Sequence, residues 1–342
     1  MSLARAIATG DLAELPSRRD EEWRWTDLRG LLRVLPPPSP AHDGALPAGP
    51  FAEVDAEFVE VINGRGPARI DLADGERRVV ALRVYAADVG SHASKMEIRL
   101  SAGSELILLE SHEGEGGYVA EADLAIVVGP GARVERLLLA NEPENAVSVS
   151  KAVVSLSPGG RFAQTVITTG ARRQRIETHL DHEGGGAAAR LDGLYSVAGR
   201  RHADITTVVL HAGPDGTTDQ LTKGVAADQG RGVFQGRIEV ARGSDRTEAR
   251  MGHHALVLSD RAEVDAKPEL EIYADEVICS HGNSIGALDD EALFYARQRG
   301  IPEAEARAML TEAFLGEVID RIVHEGAREA ARAFVASHAV TA

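Results

Sequence analysis

From about Phe51 to Gly286 the chain repeats short apolar runs set between glycines: VVALRVYA, ELILLESH, LAIVVG, RVERLLLA, VVSLSPG, FAQTVITT, ITTVVLH and VFQGRIEV. Each is too short, and too often interrupted by glycine, for an ordinary helix. Val79 to Tyr85 and Thr165 to Thr169 alternate as half-buried strands do. A small-residue turn centred on glycine returns at Gly103, Gly131, Gly159 and Gly185. The spacing, roughly 28 residues, lies in the range that marks solenoids. A coil of this size cannot bury its apolar face alone and must stack on its neighbours. The pattern predicts a β-helix or similar stacked-strand solenoid over residues 51–286. An up-and-down barrel or a sandwich is the alternative; the regular glycine return favours the solenoid.

The flanks read differently. Residues 1–50 have a helical character broken by loops, with a short helix predicted over Arg5 to Leu15. Both tryptophans, Trp23 and Trp25, sit here. Large aromatics carry much burial per residue, so they are expected to anchor the segment to the main body. Pro36, Pro37, Pro38 and Pro40, then Gly44, Pro47, Gly49 and Pro50, read as a linker of extended character. Residues 287–342 are predicted helical: Ala292, Leu293 and Ala296, then Ala306, Leu310, Ala313, Phe314 and Ile322, recur at near-helical spacing. These helices are expected to cap the open end of the solenoid, which would otherwise invite edge pairing. A sharper reading adds a face that docks a partner.

Between the two patterns lies LEIYADEVICSHGNSIGALDDEALFYARQRG, Leu270 to Gly300. Ile272, Tyr273, Val277 and Ile278 favour a pleated, half-buried surface. If the strand continues, Cys279 and His281 project to one side. A thiolate beside an imidazole begins a soft metal site, and the imidazole could lower the thiol pKa. Alone, Cys-x-His is a weak motif, and a free cysteine is most often a small buried hydrophobe. Gly282 and Gly286 are expected to break the strand. Asp289 suits the cap of the following helix, Gly300 its C′ position, and Pro302 the first turn of the next.

Composition narrows the function. The chain has 342 residues, 44% hydrophobic, and a formal net charge of −16. That charge argues against nucleic acid, whose partners normally carry a basic face. One cysteine excludes an internal disulfide and any all-cysteine zinc or iron–sulfur site built by this chain alone. Met1 to Gly10 lacks a long apolar core and no run of about 20 apolar residues occurs, so neither a signal peptide nor a membrane span is expected. A cytoplasmic location is the default expectation. No GxxxxGK[ST] or HExxH is present, so ATP hydrolysis by this chain itself is not expected. His179 and His182 would point to opposite faces of a strand, as would the adjacent His253 and His254. His202, Asp204 and His211 bracket a predicted strand without readable serine–base geometry. A hydrogen-bonded histidine is the simpler reading of each.

The segment PELEIYADEVICSHGNSIGALDDEALFYARQRGI resembles the hallmark segment of the SufB/SufD family of iron–sulfur cluster assembly proteins, on its SufD side. Agreement runs through Pro268, Leu270-Glu271-Ile272, Ala274-Asp275, Val277, Cys279, His281-Gly282, Gly286, Leu288-Asp289, Leu293-Phe294-Tyr295 and Arg299-Gly300-Ile301. RRDEEWRWTDL, DITTVVLHAGPDGTTDQLTKGV, GVFQGRIEV and ALVLSDRAEVDAKPEL resemble further family segments, so the likeness covers most of the chain. Two departures stand out. Ala241 to His254 keeps little of the family's polar stretch, and Asn283 stands where alanine is common.

The resemblance implies a mainly β fold: a right-handed parallel β-helix between N-terminal and C-terminal helical regions. It implies a non-catalytic scaffold subunit that pairs through the β-helix with a SufB-like subunit. The C-terminal helices would bind a SufC-like ABC-type ATPase, with Phe294, Tyr295, Leu310 and Phe314 as the partner-binding residues. A transient iron–sulfur cluster would form at the SufB–SufD interface, near Cys279 and His281, and none would be held stably by this chain alone. One cysteine cannot supply the usual four ligands, so the SufB-like partner would contribute others. Some such complexes also bind reduced flavin. An exposed β-helix edge also allows a homodimer of the isolated chain. A SufB-like main scaffold is the near alternative, disfavoured by the single thiol. A β-helix polysaccharide lyase or hydrolase is the distant one, disfavoured by an aromatic content of 4%.

Overall fold

The structure, a computed structural model, describes residues 1–338 and residue 340. Seventeen strands between Glu57 and Gly286 form two sheets, one of nine strands and one of eight. Successive strands alternate between the sheets, and every strand but the last of each sheet pairs in parallel with the strand two later. This is a two-sided parallel β-solenoid. The parallel pairing rules out the up-and-down barrel and the antiparallel sandwich, because two strands joined by a short turn here enter different sheets.

The rungs carry the repeat seen in the sequence. Val80 pairs with Leu108, Leu108 with Arg136, and Arg136 with Gln164, each 28 residues on. At one corner Gly103, Gly131, Gly159 and Gly185 all adopt the left-handed conformation, with φ between 61° and 68°. Their N–H groups bond to the next turn: Gly103 to Pro130 O at 3.0 Å, Gly131 to Pro158 O at 3.3 Å, Gly159 to Gly185 O at 3.1 Å. Glycine recurs because this corner needs φ > 0. In the next two turns Asp215 and then Arg246 occupy it, at φ 60° and 59°. There a two-pronged ion pair, Arg246 Nε and Nη2 to Asp215 Oδ1 and Oδ2 at 2.6 and 2.8 Å, ties adjacent turns together.

The interior holds Val80, Leu82, Ile98, Leu108, Ile126, Val154, Phe234 and Ile238, all buried. It is not wholly apolar. Arg136 bonds Glu110 at 2.8 Å and Gln164 at 2.6 Å in a buried network. Glu110 is held down to about 2: burial raises its pKa, but Arg136 and His112 more than offset this.

Helices lie on the outer faces. Helix α1 (Leu3–Thr9) and the short α2 (Leu28–Leu31) pack Leu3, Ala6, Leu28 and Leu32 onto Val119, Val147 and Val149 of the eight-stranded sheet. Trp23 stacks on the buried Arg175, 4.3 Å from the guanidinium carbon to the ring centre. Trp25 contributes its carbonyl, which accepts from His202 Nε2 at 3.1 Å. The proline-rich stretch lies along the solenoid too: Ser39 N bonds Ser91 O at 2.9 Å and Ser91 N bonds Pro37 O at 2.8 Å.

The C-terminal region forms α3 (Asp290–Gln298), α4 (Glu303–Ile319) and α5 (Glu325–Ser337). The expected cap over the solenoid end is not what they make. Helices α4 and α5 run back across the nine-stranded sheet, burying Leu315, Val318, Ile319, Ile322, Ala331 and Phe334 against outward residues such as Leu109, Leu137, Leu139, Ile167 and Leu194. Runs such as ELILLESH and RVERLLLA are apolar on both faces because this outer face is covered as well. Polar pins fix the helices. Arg321 Nε meets the buried Asp192 at 3.0 Å, and Glu135 accepts from Val323 N and His324 N at 2.6 and 3.0 Å. The end of the solenoid is left bare.

Candidate functional site

The bare end is formed by the strands Glu263–Ile272 and Val277–Gly286, each the last of its sheet. Each pairs on one side only, so among the described residues its outer edge carries unpaired backbone groups. The strand does not break at Gly282. That residue pairs with Gly252 and the strand runs on to Gly286, because the ladder to Thr247–Val257 satisfies the backbone regardless of side chain. Asp289 caps α3 as expected, accepting from Glu291 N at 2.8 Å and Ala292 N at 3.3 Å. Gly300 follows at φ 85°.

Alternation places Cys279, His281, Asn283 and Ile285 on the inward side, stacked over Ala249, Met251, His253 and Ala255. All four residues below are buried. With no further turn above them, the inward side chains of the last strand form the exposed end of the interior. Cys279 is half-buried against the core; His281 is exposed. Their Cα atoms are roughly 7 Å apart along the strand. The expected lowering of the thiol pKa by the imidazole is not found. Burial pushes the Cys279 thiol up, offset only partly by a backbone hydrogen bond from Ala249. At neutral pH Cys279 is therefore a thiol, and a metal would have to displace its proton. Among the described residues no three His, Cys, Asp or Glu side chains are grouped to hold a metal ion. The pair offers a soft sulfur and a borderline imidazole nitrogen, which suit iron, zinc or an iron–sulfur cluster completed from elsewhere.

Around the pair, large apolar side chains are exposed among polar ones such as Asp275, Glu276, Ser280 and Ser284. Ile272, Tyr273, Ile278 and Ile285 are all exposed. On the adjoining helices Phe294 and Tyr295 are 63% and 60% exposed, and Met309 on α4 is exposed as well. Leu310 is half-buried. Phe314 turns back onto the chain's own sheet, under Lys223 Nζ at 4.3 Å from its ring centre. Of the four expected partner-binding residues, then, Phe294 and Tyr295 are presented to solvent while Phe314 is used internally.

The other histidines singled out above are hydrogen-bonded within the chain. His179 faces out beside Glu177 Oε2 at 3.0 Å, while His182 faces in. His253 is buried and its neighbour His254 faces out. His202 is buried, and Asp204 accepts from Arg175 Nη1 at 2.9 Å and from the Thr26 hydroxyl. Sequence reading missed two pairings. His182 and His211 stack inside, ring centres 4.5 Å apart. His253 lies behind Asn283, with Nδ1 and Oδ1 2.7 Å apart. Both pairs are one solenoid turn apart, 29 and 30 residues, and the repeat length would have exposed them.

Two comparisons bear on this geometry. The family described as "SUF system FeS cluster assembly, SufBD core domain" matches residues 83–314. The iron–sulfur cluster assembly protein SufD of Escherichia coli is 27% identical, over 96% of this chain and 89% of the relative. An iron–sulfur cluster assembly SufBD family protein of Mycobacterium tuberculosis is 27% identical over 93% of this chain and 88% of the relative. The SufD of Bacillus subtilis matches at 31% over 38% of this chain and 30% of its own length. The match spans most of the solenoid and the bare end, and no described helix is long and apolar enough to cross a membrane. This chain belongs to the SufBD family, and its role is in iron–sulfur cluster assembly.

Proposed function

We propose that this chain is a SufD-type scaffold subunit, without catalytic activity of its own, that builds a cluster jointly with a SufB-like subunit seated on the bare end of the solenoid. One observation carries the reading: the last turn presents two unpaired strand edges, exposed apolar side chains and the Cys279–His281 pair on one surface. Edge strands of this length are normally blocked or covered, and extending the ladder with a partner's strand satisfies them directly. The cluster is cargo here. Cys279 and His281 would supply two donors and the partner the remainder.

The helices fit the second half of the proposal. Phe294, Tyr295 and Met309 are exposed apolar side chains on α3 and α4, suited to a SufC-like ATPase. Helix α4 is tied to the solenoid by Lys223–Glu317, and Arg321 just beyond it by Asp192. A pull on the helices would therefore be felt by the sheet that ends at Cys279. The experiment is anaerobic co-purification with SufB- and SufC-type partners, measuring subunit composition and bound iron for wild type and His281→Ala. A three-component complex whose iron falls several-fold in the variant is expected. A stable complex with unchanged iron would remove His281 from the site, and the absence of any complex would remove the scaffold reading.

A further inference from the structure

Behind the exposed Asn283 lies a buried relay that the scaffold reading does not use. The Asn283 amide oxygen only accepts, so His253 Nδ1, at 2.7 Å, carries the proton and donates. His253 Nε2 then accepts from the Tyr195 hydroxyl at 3.0 Å. The imidazole is further fixed by Phe234, whose ring lies parallel within 1° at 4.9 Å between centres. Tyr195, Phe234 and His253 are fully buried. This holds the oxygen of Asn283 toward the interior and leaves the amide's two N–H donors, on Nδ2, at the exposed end. Asn283 shares the inward row with Cys279 and His281, roughly 7 Å along the strand from the latter.

We propose that Asn283 is a third residue of the bare-end site, donating an amide N–H to sulfur seated at Cys279 and His281, and that His253 is the positioning residue that orients it. The proposal rests on reading this end as the assembly site. Hydrogen bonds to cluster sulfurs help set the reduction potential, because they stabilise the added negative charge of the reduced form. Alanine at this position could not do this.

The test uses the complex with SufB- and SufC-type partners, loaded anaerobically with ferrous iron and sulfide. Iron content and reduction potential are read by dithionite titration for wild type, Asn283→Ala, His253→Phe and His281→Ala. Asn283 is exposed, so its variant folds; phenylalanine preserves the ring stack of His253. In the isolated chain, ¹⁵N NMR reads the His253 tautomer. The expected results are the Nδ1–H tautomer in wild type, retained iron in Asn283→Ala and His253→Phe with the potential shifted negative in both, and lost iron in His281→Ala. An unchanged potential in Asn283→Ala, with iron lost in His281→Ala, overturns this inference and leaves the assembly site standing. Retained iron in His281→Ala with an unchanged potential in every variant overturns the site and the inference together. An Nε2–H tautomer in wild type overturns the role of His253.

Discussion

His92 and His202 are buried and held down to about 4, and His211 to about 3, each chiefly by desolvation. His182 is shifted the same way. An unfolded histidine takes up its proton near 6.5, so between that pH and about 4 the unfolded chain binds protons that these folded residues refuse. Their contribution to stability is complete above 6.5 and is lost as pH falls. Glu121 and Asp192 oppose this. Burial raises both to about 7, so the folded state binds their protons first and gains stability over the same interval. His253, buried and held down to about 4 by desolvation, joins the four histidines, and burial also raises Asp123, so five histidines outnumber three carboxyls and the net expectation is a loss. Below about 4.5 the loss continues, because Glu110 and Glu177 are held to about 2 by their arginine and histidine neighbours. Urea midpoints at pH 7.5 and 5 should therefore fall on acidification; a higher midpoint at pH 5 would contradict the assignment. None of this was visible in the sequence. A histidine in a strand reads alike whether it faces in or out until the register of the turns is known.

At the scale of the element, two glycines test different physics. Gly131 sits at the left-handed corner with open space where a Cβ would go. Gly131→Ala should cost about 1–2 kcal/mol of backbone strain alone. Gly224 needs no unusual φ, but a Cβ there would meet Tyr195 Cζ at 1.8 Å. Gly224→Ala should cost at least the roughly 1–3 kcal/mol of core overpacking. Chemical denaturation of both variants separates the cases, and equal costs would mean that the ring simply moves aside. The corner glycines were legible because their spacing survives as a pattern. The service Gly224 renders to Tyr195 was not, since the two lie one turn apart in neighbouring strands. The helices teach the same lesson. The spacing of Leu310, Phe314 and Ile322 announced an apolar face, but periodicity cannot say which surface that face meets. The outward leucines of ELILLESH and RVERLLLA, apolar on both sides of a strand, were the signal that the sheet itself was waiting for them.

At the scale of the molecule, helices lie on both faces of the solenoid and leave the end at Cys279 uncovered. Ile278, 63% exposed on the last strand, lies outside the core. Ile278→Lys should leave thermal stability within about 0.5 kcal/mol of wild type, as surface changes usually do. It should abolish both association with a SufB-like partner and any self-association of the isolated chain. Light scattering after size exclusion checks this, and a variant that still assembles would place the interface elsewhere.

A stack of turns draws its strength from neighbours on both sides. The turn bearing Cys279, His281 and Asn283 has a neighbour on one side only. Opening it, like opening the first turn, breaks one ladder in each sheet where an interior turn must break two, so native-state fluctuations are expected to begin at these two terminal turns. The residues proposed to receive iron and sulfide thus ride on a turn more yielding than those in the interior of the rod. A second ladder laid on that end would freeze the same turn that carries them.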